Sequence, residues 1–377
     1  MRLLPLLSGL AVAGAQTPRA PSAPVASTTP VALSAGADTF VVHGLYVNRW
    51  VAQNKPRIRA LIQFARETGI NAMVVDLKDE FGLNYHPTDS VARRYVGNGG
   101  AIPDVRWLVD TLRANGIMPI ARLVVFKDSV AARARPDWTI LAPDSQPWRD
   151  KQKLTWVNPY NPAVRDYDLR VAVEVAKFGF AEIQFDYIRF PEPYTSLPKQ
   201  VFPGAGNTSK PELLAMFLRD ARARLAPMGV RCTADVFGMT TSVRGALEVG
   251  QQWEPLASAA DVLLPMVYPS HYPVGFMGIA HPNGSPYEIV KDAVKRAVQR
   301  DSALGLHGET VRPYLQAFTL GKPAYGNAEL SAQIRAAYEA GARGWILWNP
   351  GSKYEAFKDA LVADMEHRAG EAAHTLR

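Results

Sequence analysis

Gly179-Phe180-Ala181-Glu182-Ile183-Gln184-Phe185-Asp186-Tyr187-Ile188-Arg189-Phe190-Pro191 reads as a buried strand that ends in a carboxylate and then breaks. Gly179 suits the end of a preceding helix, because a left-handed cap costs least without a Cβ. Along the strand, Ile183 and Phe185 face one side while Gln184 and Asp186 face the other. Pro191 cannot donate to a ladder, so the strand is expected to stop before it, with Asp186 at its C-terminal end.

Working outward, the same unit recurs. Strands are expected at residues 41–48, 71–77, 117–126, 179–186, 230–237, 261–268, 311–319 and 344–349. Between them, apolar residues return at helical spacing, as in Ile58, Leu61, Ile62 and Ala65, then Val105, Leu108, Val109 and Leu112. Further helices are expected within 164–178, around 214–225, from about Arg244 to Ala259, from Tyr287 to about Asp301, around 330–338, and from about Lys353 to His367. Eight strands alternating with eight helices give an α/β fold, a single (β/α)8 TIM barrel. The alternative is a doubly wound open sheet, but the first strand lacks the G-x-G-x-x-G turn of such folds.

Gly69 to Asp76 and Gly179 to Asp186 share one plan, a glycine, six mostly apolar residues and an aspartate; Gly229 to Asp235 is one residue shorter. Helix-to-strand joins are short, whereas the βα loops after strands two, three, four and six are long. That asymmetry marks the C-terminal ends of the strands as the working face.

Composition is ordinary for a globular chain, with 47% hydrophobic and 20% charged residues in 377. Arg2, the apolar run Leu3 to Val12 and Ala13-Gly14-Ala15 form a signal peptide over 1–15, too short to remain as a membrane span. Residues 16–38, rich in Pro, Ala, Ser and Thr, read as a tether, 39–368 as the barrel and 369–377 as a tail. The expected location is outside the cytoplasm, periplasmic or extracellular, with no transmembrane segment in the mature chain. Cys232 is the only cysteine, so an internal disulfide is impossible and a packing role is expected. The formal charge is +7, but the basic residues are scattered, which argues against nucleic acid and favours loose association with an anionic envelope surface.

The chemistry gathers at the strand ends. Asp76, Asp186 and Asp235 close three strands on one face. Like charges buried together are costly unless a cation, water or substrate accompanies them. Asp186 has Arg122 and Arg189 as potential partners, and Lys78 has Asp76 or Asp79. Paired carboxylates also suit glycosidic bond cleavage, in which one donates a proton and the other attacks or activates water. Aromatic residues at strand ends and in the long loops, among them Tyr46, Trp156, Tyr187, Tyr268, Tyr272 and Trp348, suit the apolar face of a sugar ring. Asn48, Arg122, Gln184, Arg189 and Gln316 can meet its hydroxyls. Trp348, at the end of the last strand, is the foremost candidate for a sugar platform.

Phe185-Asp186-Tyr187-Ile188-Arg189-Phe190-Pro191 resembles the fourth-strand signature of glycoside-hydrolase-like barrels grouped as a domain of unknown function. Gly44-Leu45-Tyr46-Val47, Val75-Asp76-Leu77-Lys78-Asp79, Met266-Val267-Tyr268-Pro269 and Trp345-Ile346-Leu347-Trp348-Asn349-Pro350 resemble the same family, over about residues 40 to 365. The resemblance implies a (β/α)8 barrel related to the α-amylase and α-galactosidase groups. It implies that Asp186 is the nucleophile. The amylase-group acid/base is a fifth-strand Glu, and Asp235 is the nearest match here.

Other chemistries lack their residues. There is no H-E-x-x-H, paired cysteine or clustered histidine for a transition metal, no G-x-S-x-G elbow and no clear phosphate cradle for a barrel lyase or aldolase. No cofactor and no metal are expected. The sequence therefore leads to an exported hydrolase of O-glycosidic bonds acting on a polysaccharide or oligosaccharide, with Asp186, Asp235 and Asp76 in catalytic roles. The substrate-binding set is Tyr46, Asn48, Arg122, Gln184, Arg189, Tyr268, Gln316 and Trp348. The alternative is a non-catalytic carbohydrate-binding barrel of the cell envelope.

Overall fold

The computed structural model describes residues 40–375, so the signal peptide and tether expected over 1–38 lie outside the described residues. Eight parallel strands form the barrel: β1 His43–Val47, β2 Ala72–Asp79, β3 Met118–Val124, β4 Glu182–Asp186, β5 Arg231–Phe237, β6 Val262–Val267, β7 Tyr314–Gln316 and β8 Trp345–Trp348. Each strand pairs in parallel with the next, and β8 returns to β1 through His43↔Trp345 and Leu45↔Leu347. A two-residue strand, Gly82–Leu83, folds back antiparallel on the end of β2.

The helices follow in turn: α1 Lys55–Thr68, α2 Val105–Ala114, α3 Pro162–Ala176, α4 Lys210–Leu225, α5 Trp253–Ala257, α6 Pro286–Ala303, α7 Asn327–Glu339 and α8 Lys358–Thr375. Local chemistry sets their ends. Asn54, Asp104, Asn161 and Ser209 accept hydrogen bonds from the first-turn amides of α1 to α4. Gly69 ends α1 in the left-handed region, at φ 66°.

Alternation along each strand divides the core in two. Ile183, Phe185, Cys232 and Ala234 point outward onto the helices, where most of the buried apolar surface lies. Val74, Ile120, Leu264, Tyr314 and Ile346 fill the barrel itself. At its N-terminal end the interior is closed by an ion network. Arg312 donates to Glu182 (2.7 and 3.1 Å) and to Glu309, with all three side chains at most 2% exposed. Burial, the largest influence, would raise the Glu182 carboxyl, but the charge and hydrogen bonds of Arg312 and the charge of Arg231 together outweigh it and hold the group below its ordinary value.

The seam between β1 and β8 tolerates no added atom. A Cβ at Gly344 would lie 2.2 Å from the Val42 carbonyl oxygen. Gly344→Ala must therefore push the first and last strands apart, and forced overpacking of this kind costs about 1–3 kcal/mol. The expected outcome is a melting temperature lower by several degrees, measured by calorimetry, with the sign set by backbone that cannot move aside.

Three expectations are corrected. The strand of the opening motif ends because Tyr187 turns into the left-handed region at φ 51°, four residues before Pro191. α5 is five residues long instead of spanning Arg244 to Ala259, since the preceding stretch forms a loop closed by the Leu247 and Gly250 amides. α8 starts at Lys358, later than Lys353, and continues to Thr375, beyond His367.

Candidate active site

Arg122, on the inward face of β3, is the hub of the site. Its Nη1 donates to Asp76 Oδ1 at 2.5 Å, and its Nη2 and Nε donate to Asp186 Oδ2 at 2.5 and 3.0 Å. The same Nε lies 3.9 Å from Asp235 Oδ2. The three aspartates, Asp186 at the end of β4 and Asp76 and Asp235 two or three residues before the ends of β2 and β5, thus meet around one guanidinium on a residue that is 5% exposed. Asp186 and Asp235 can be no farther apart than the sum of those last two distances, which is below the upper limit of about 9.5 Å for carboxylate pairs in glycosidases.

Each carboxylate has its own surroundings. Tyr46 donates its hydroxyl to Asp76 Oδ2 at 2.5 Å. Asp186 Oδ1 accepts the backbone N–H of Tyr187 at 2.5 Å, a contact made by the left-handed turn at that residue. A bulky residue at positive φ is strained, and such strain collects where a site requires a fixed geometry. Asp235 Oδ2 accepts from Gln184 Nε2 at 3.0 Å, and that amide also donates to the Tyr314 hydroxyl at 2.7 Å. Asp235 Oδ1, Gln184 Oε1 and the Tyr268 hydroxyl are buried and have no hydrogen-bond partner.

One charge cannot neutralise three carboxylates in a dry interior, so protonation follows burial. Burial, then the negative charge of Asp186, pushes the Asp235 carboxyl well above its ordinary value, against the pull of Arg122 and Gln184. Burial raises Asp76 as well, with Arg122 and Tyr46 opposing it. A buried carboxyl held protonated in this way is suited to act as a proton donor.

Above this cluster opens a cavity of about 520 Å³. Arg122 and Asp186 form its floor, and Tyr187, Tyr268, Tyr272 and Trp348 line its walls. Trp348 stacks on Tyr46, with centroids 3.8 Å apart and planes 24° apart, so one of its faces is already covered. At the far side Arg189 donates to Glu192 Oε2 at 3.1 Å and packs against Trp156, Tyr187 and Phe237. A larger space of about 750 Å³ lies between α7 and α8, lined by outer-helix residues such as Arg335 and Tyr338, and none of the three strand-end carboxylates reaches it.

The residues expected from sequence divide into three groups. Asp186, Arg122, Arg189, Tyr268 and Trp348 line the cavity. Asp76, Asp235, Tyr46 and Gln184 lie beneath its floor, holding or facing the residues that do. Asn48 and Gln316 are elsewhere. Asn48 caps a one-turn helix at Val51 and holds the Pro350 carbonyl (2.9 Å each), while Gln316 Oε1 accepts from Ser270 and so fixes the loop after β6. Lys78 is redirected too. A register shift after Asp76 turns it away from Asp76 and Asp79, and it pairs with Asp128 and Asp168 at 2.9 Å each. Asp79 pairs instead with Arg49.

Sequence reasoning missed Glu192, Tyr194 and Phe237 as cavity residues. The signal was the run Pro191-Glu192-Pro193-Tyr194, in which two prolines stiffen a loop that presents an acid and an aromatic ring. Among the described residues no group of His, Cys, Asp and Glu is arranged to hold a metal ion, and no helix is long and apolar enough to cross a membrane.

Residues 44–354 match the family described as "putative glycosyl hydrolase domain". Solved structures similar to this chain include the PgaB (BpsB) glycoside hydrolase domain from Bordetella bronchiseptica, at 15% identity over 85% of this chain and 99% of that one, with a TM-score of 0.61. α-L-Fucosidase isoenzyme 2 from Paenibacillus thiaminolyticus is similar at 13% identity, over 88% and 50% of the respective chains, with a TM-score of 0.56. A hypothetical protein from Ruminiclostridium thermocellum shares 35% identity over 51% of this chain and 97% of its own, with a TM-score of 0.46. No curated protein matches the chain.

Proposed function

The chain belongs to the family of putative glycosyl hydrolase domains, and from that membership we propose that it is an exported hydrolase cleaving O-glycosidic bonds in a polysaccharide by two carboxylates, outside the cytoplasm. The observation that carries the reading is the gathering of Asp76, Asp186 and Asp235 around Arg122 beneath an aromatic-walled cavity. A carbohydrate is the substrate class that suits such walls and acids together.

In this reading Asp186 Oδ1 is the reacting oxygen. Oδ2 carries both Arg122 donors, whereas Oδ1 accepts only the Tyr187 amide and keeps a lone pair for the anomeric carbon. Asp235, kept protonated by burial, donates its proton to the leaving oxygen and afterwards draws one from the attacking water. Asp76 holds Arg122 in place and supports the charge of Asp186 through it.

Two measurements on Asp235→Asn test the proton-donor role. Hydrolysis of a polysaccharide, read as reducing ends across a panel, should fall by about 10²–10⁴, and the alkaline limb of the pH–rate profile should vanish. Stability should move the other way. The folded Asp235 keeps its proton to higher pH than the unfolded chain, where Asp titrates near about 3.9. The stability it contributes is therefore full below about pH 4 and lost as pH rises through the folded value. Asp235→Asn should melt like the wild type below about pH 4 and at a higher temperature at pH 7. Wild-type activity and an unchanged pH profile in the variant would remove Asp235 from the mechanism.

A carbohydrate-binding barrel without catalysis is the second reading. It is favoured by one observation, that Asp235 is 1% exposed and lies behind Arg122. It predicts glycan binding that survives Asp235→Asn and no new reducing ends from either protein.

A further inference from the structure

The cavity continues past Tyr194. We infer that a second lobe beside it binds the neighbouring sugars of the same glycan chain, so that the site is a cleft for internal linkages and not a pocket for a chain end. The inference rests on the carbohydrate-hydrolase reading above and adds to it the extent of the substrate.

The lobe is about 360 Å³ and is lined by Pro193, Tyr194, Leu247 and Val249, together with Phe237 and Met239. Glu192, Tyr194, Phe237 and Met239 also line the 520 Å³ cavity, so the two spaces adjoin along that ridge. The combined size is within the range of sites that enclose organic ligands of several rings.

The lobe lies in the seam between the loops that follow β4 and β5, and the seam is tied at its base. The Phe190 amide donates to the Val249 carbonyl at 2.8 Å. Gln251 donates to the carbonyls of Ile188 and Asp235 at 3.3 and 3.2 Å and accepts from the Phe237 amide at 2.9 Å. Gln200 holds the carbonyls of Pro191 and Glu192, and Lys210 holds that of Glu248. Loops ordered before binding lose little entropy on binding, which is what an extended subsite requires.

Its surface chemistry points to sugar. Tyr194 is 40% exposed although it lies in a tied loop, and the Lys151 ammonium sits 3.3 Å from its ring centroid. A cation therefore covers one face, and the opposite face is left for a ligand. Phe237, Leu247 and Met239 offer an apolar bed for ring C–H groups, and the Glu192 and Glu248 carboxylates offer acceptors for hydroxyls. No cation lines the lobe. Arg189, paired with Glu192 and packed on Phe237, and Lys151, on the Tyr194 ring, border it, so charges of both signs meet at its edge.

The probes are cello-, malto-, chito- and galacturonate oligosaccharides of one, two, four and six units. Cleavage is measured with the wild-type enzyme, and binding to Asp186→Asn by calorimetry. In a series that binds, affinity should rise about tenfold or more from one unit to four. Leu247→Glu, which alters only the second lobe, should keep the affinity for one unit and lose the rise. Tyr194→Ala should weaken binding of four units about tenfold with its circular dichroism unchanged, one such factor being 1.4 kcal/mol. A rise that persists in both variants overturns the lobe while leaving the hydrolase reading intact. No binding and no cutting in any series overturns both.

Discussion

Asp186→Asn should lose hydrolysis of any polysaccharide the wild type cuts by about 10³-fold or more, with the melting temperature held within a few degrees. The size of the effect follows from what the carboxylate does. An amide cannot supply a nucleophilic oxygen or accept a proton at neutral pH, and removing a group that acts only in the transition state lowers kcat with little change in KM. The fold should survive because the Asn oxygen can still accept from the Arg122 guanidinium, and only the acceptor for the Tyr187 amide, at the rim of the cavity, is lost. Reducing-end release and calorimetry on the same preparations separate the two effects. Activity within tenfold of wild type would exclude Asp186 as nucleophile, whatever the stability.

Arg122→Met should have the largest effect on stability. Among the described residues the guanidinium is the only positive charge bonded to Asp76 and Asp186, and it also faces Asp235. Removing one partner of a buried ion pair leaves uncompensated charge and costs about 3–5 kcal/mol. For a domain of this size, at about 2.1 cal/mol/K of unfolding entropy per residue, that corresponds to a melting temperature lower by about 4–7 °C at pH 7. The sign with pH is fixed by the acids left behind. Asp76 and Asp235 are already raised by burial, and losing the cation raises them further, so the folded variant binds protons more tightly than the unfolded chain. Its deficit should therefore be greatest above pH 6 and shrink toward pH 4, as the carboxyls become neutral. A deficit that is independent of pH would show that Arg122 acts by packing alone.

The barrel was legible because its signals are local. Apolar residues three and four apart, Gly69, Gly116 and Gly179 between helix and strand, and Asp at the strand ends are read within a dozen residues, and the structure follows them. The convergence of Asp76, Asp186 and Asp235 was legible for the same reason, since a closed parallel barrel brings equivalent strand ends together. The electrostatic centre was not. Arg122 was one of several cations within reach of Asp186, and only strand register decides that it joins three acids from strands far apart in sequence. Lys78 shows the same limit: one irregularity after Asp76 reverses the side it faces. Asn48 and Gln316 do not line the cavity and hold loops instead, because a polar side chain at a strand end serves a loop partner as readily as a sugar hydroxyl. Tyr187 carries no local mark of its left-handed turn. Glycine or asparagine would have announced it, and an aromatic residue concealed it.

The join between β1 and β8 has a consequence for how the molecule is made. His43 pairs with Trp345, so about 300 residues of chain separate the two edges of the ring. At the usual pace of synthesis of about 5–20 residues per second, the first edge emerges some 15–60 seconds before its partner exists. Throughout that interval the growing polypeptide is an open curl with one unsatisfied rim. Pairing so remote in sequence is also slow to form once both rims are present. Biogenesis thus includes a long unfinished stage, during which anything that binds nascent protein meets a threadable chain and not a closed body.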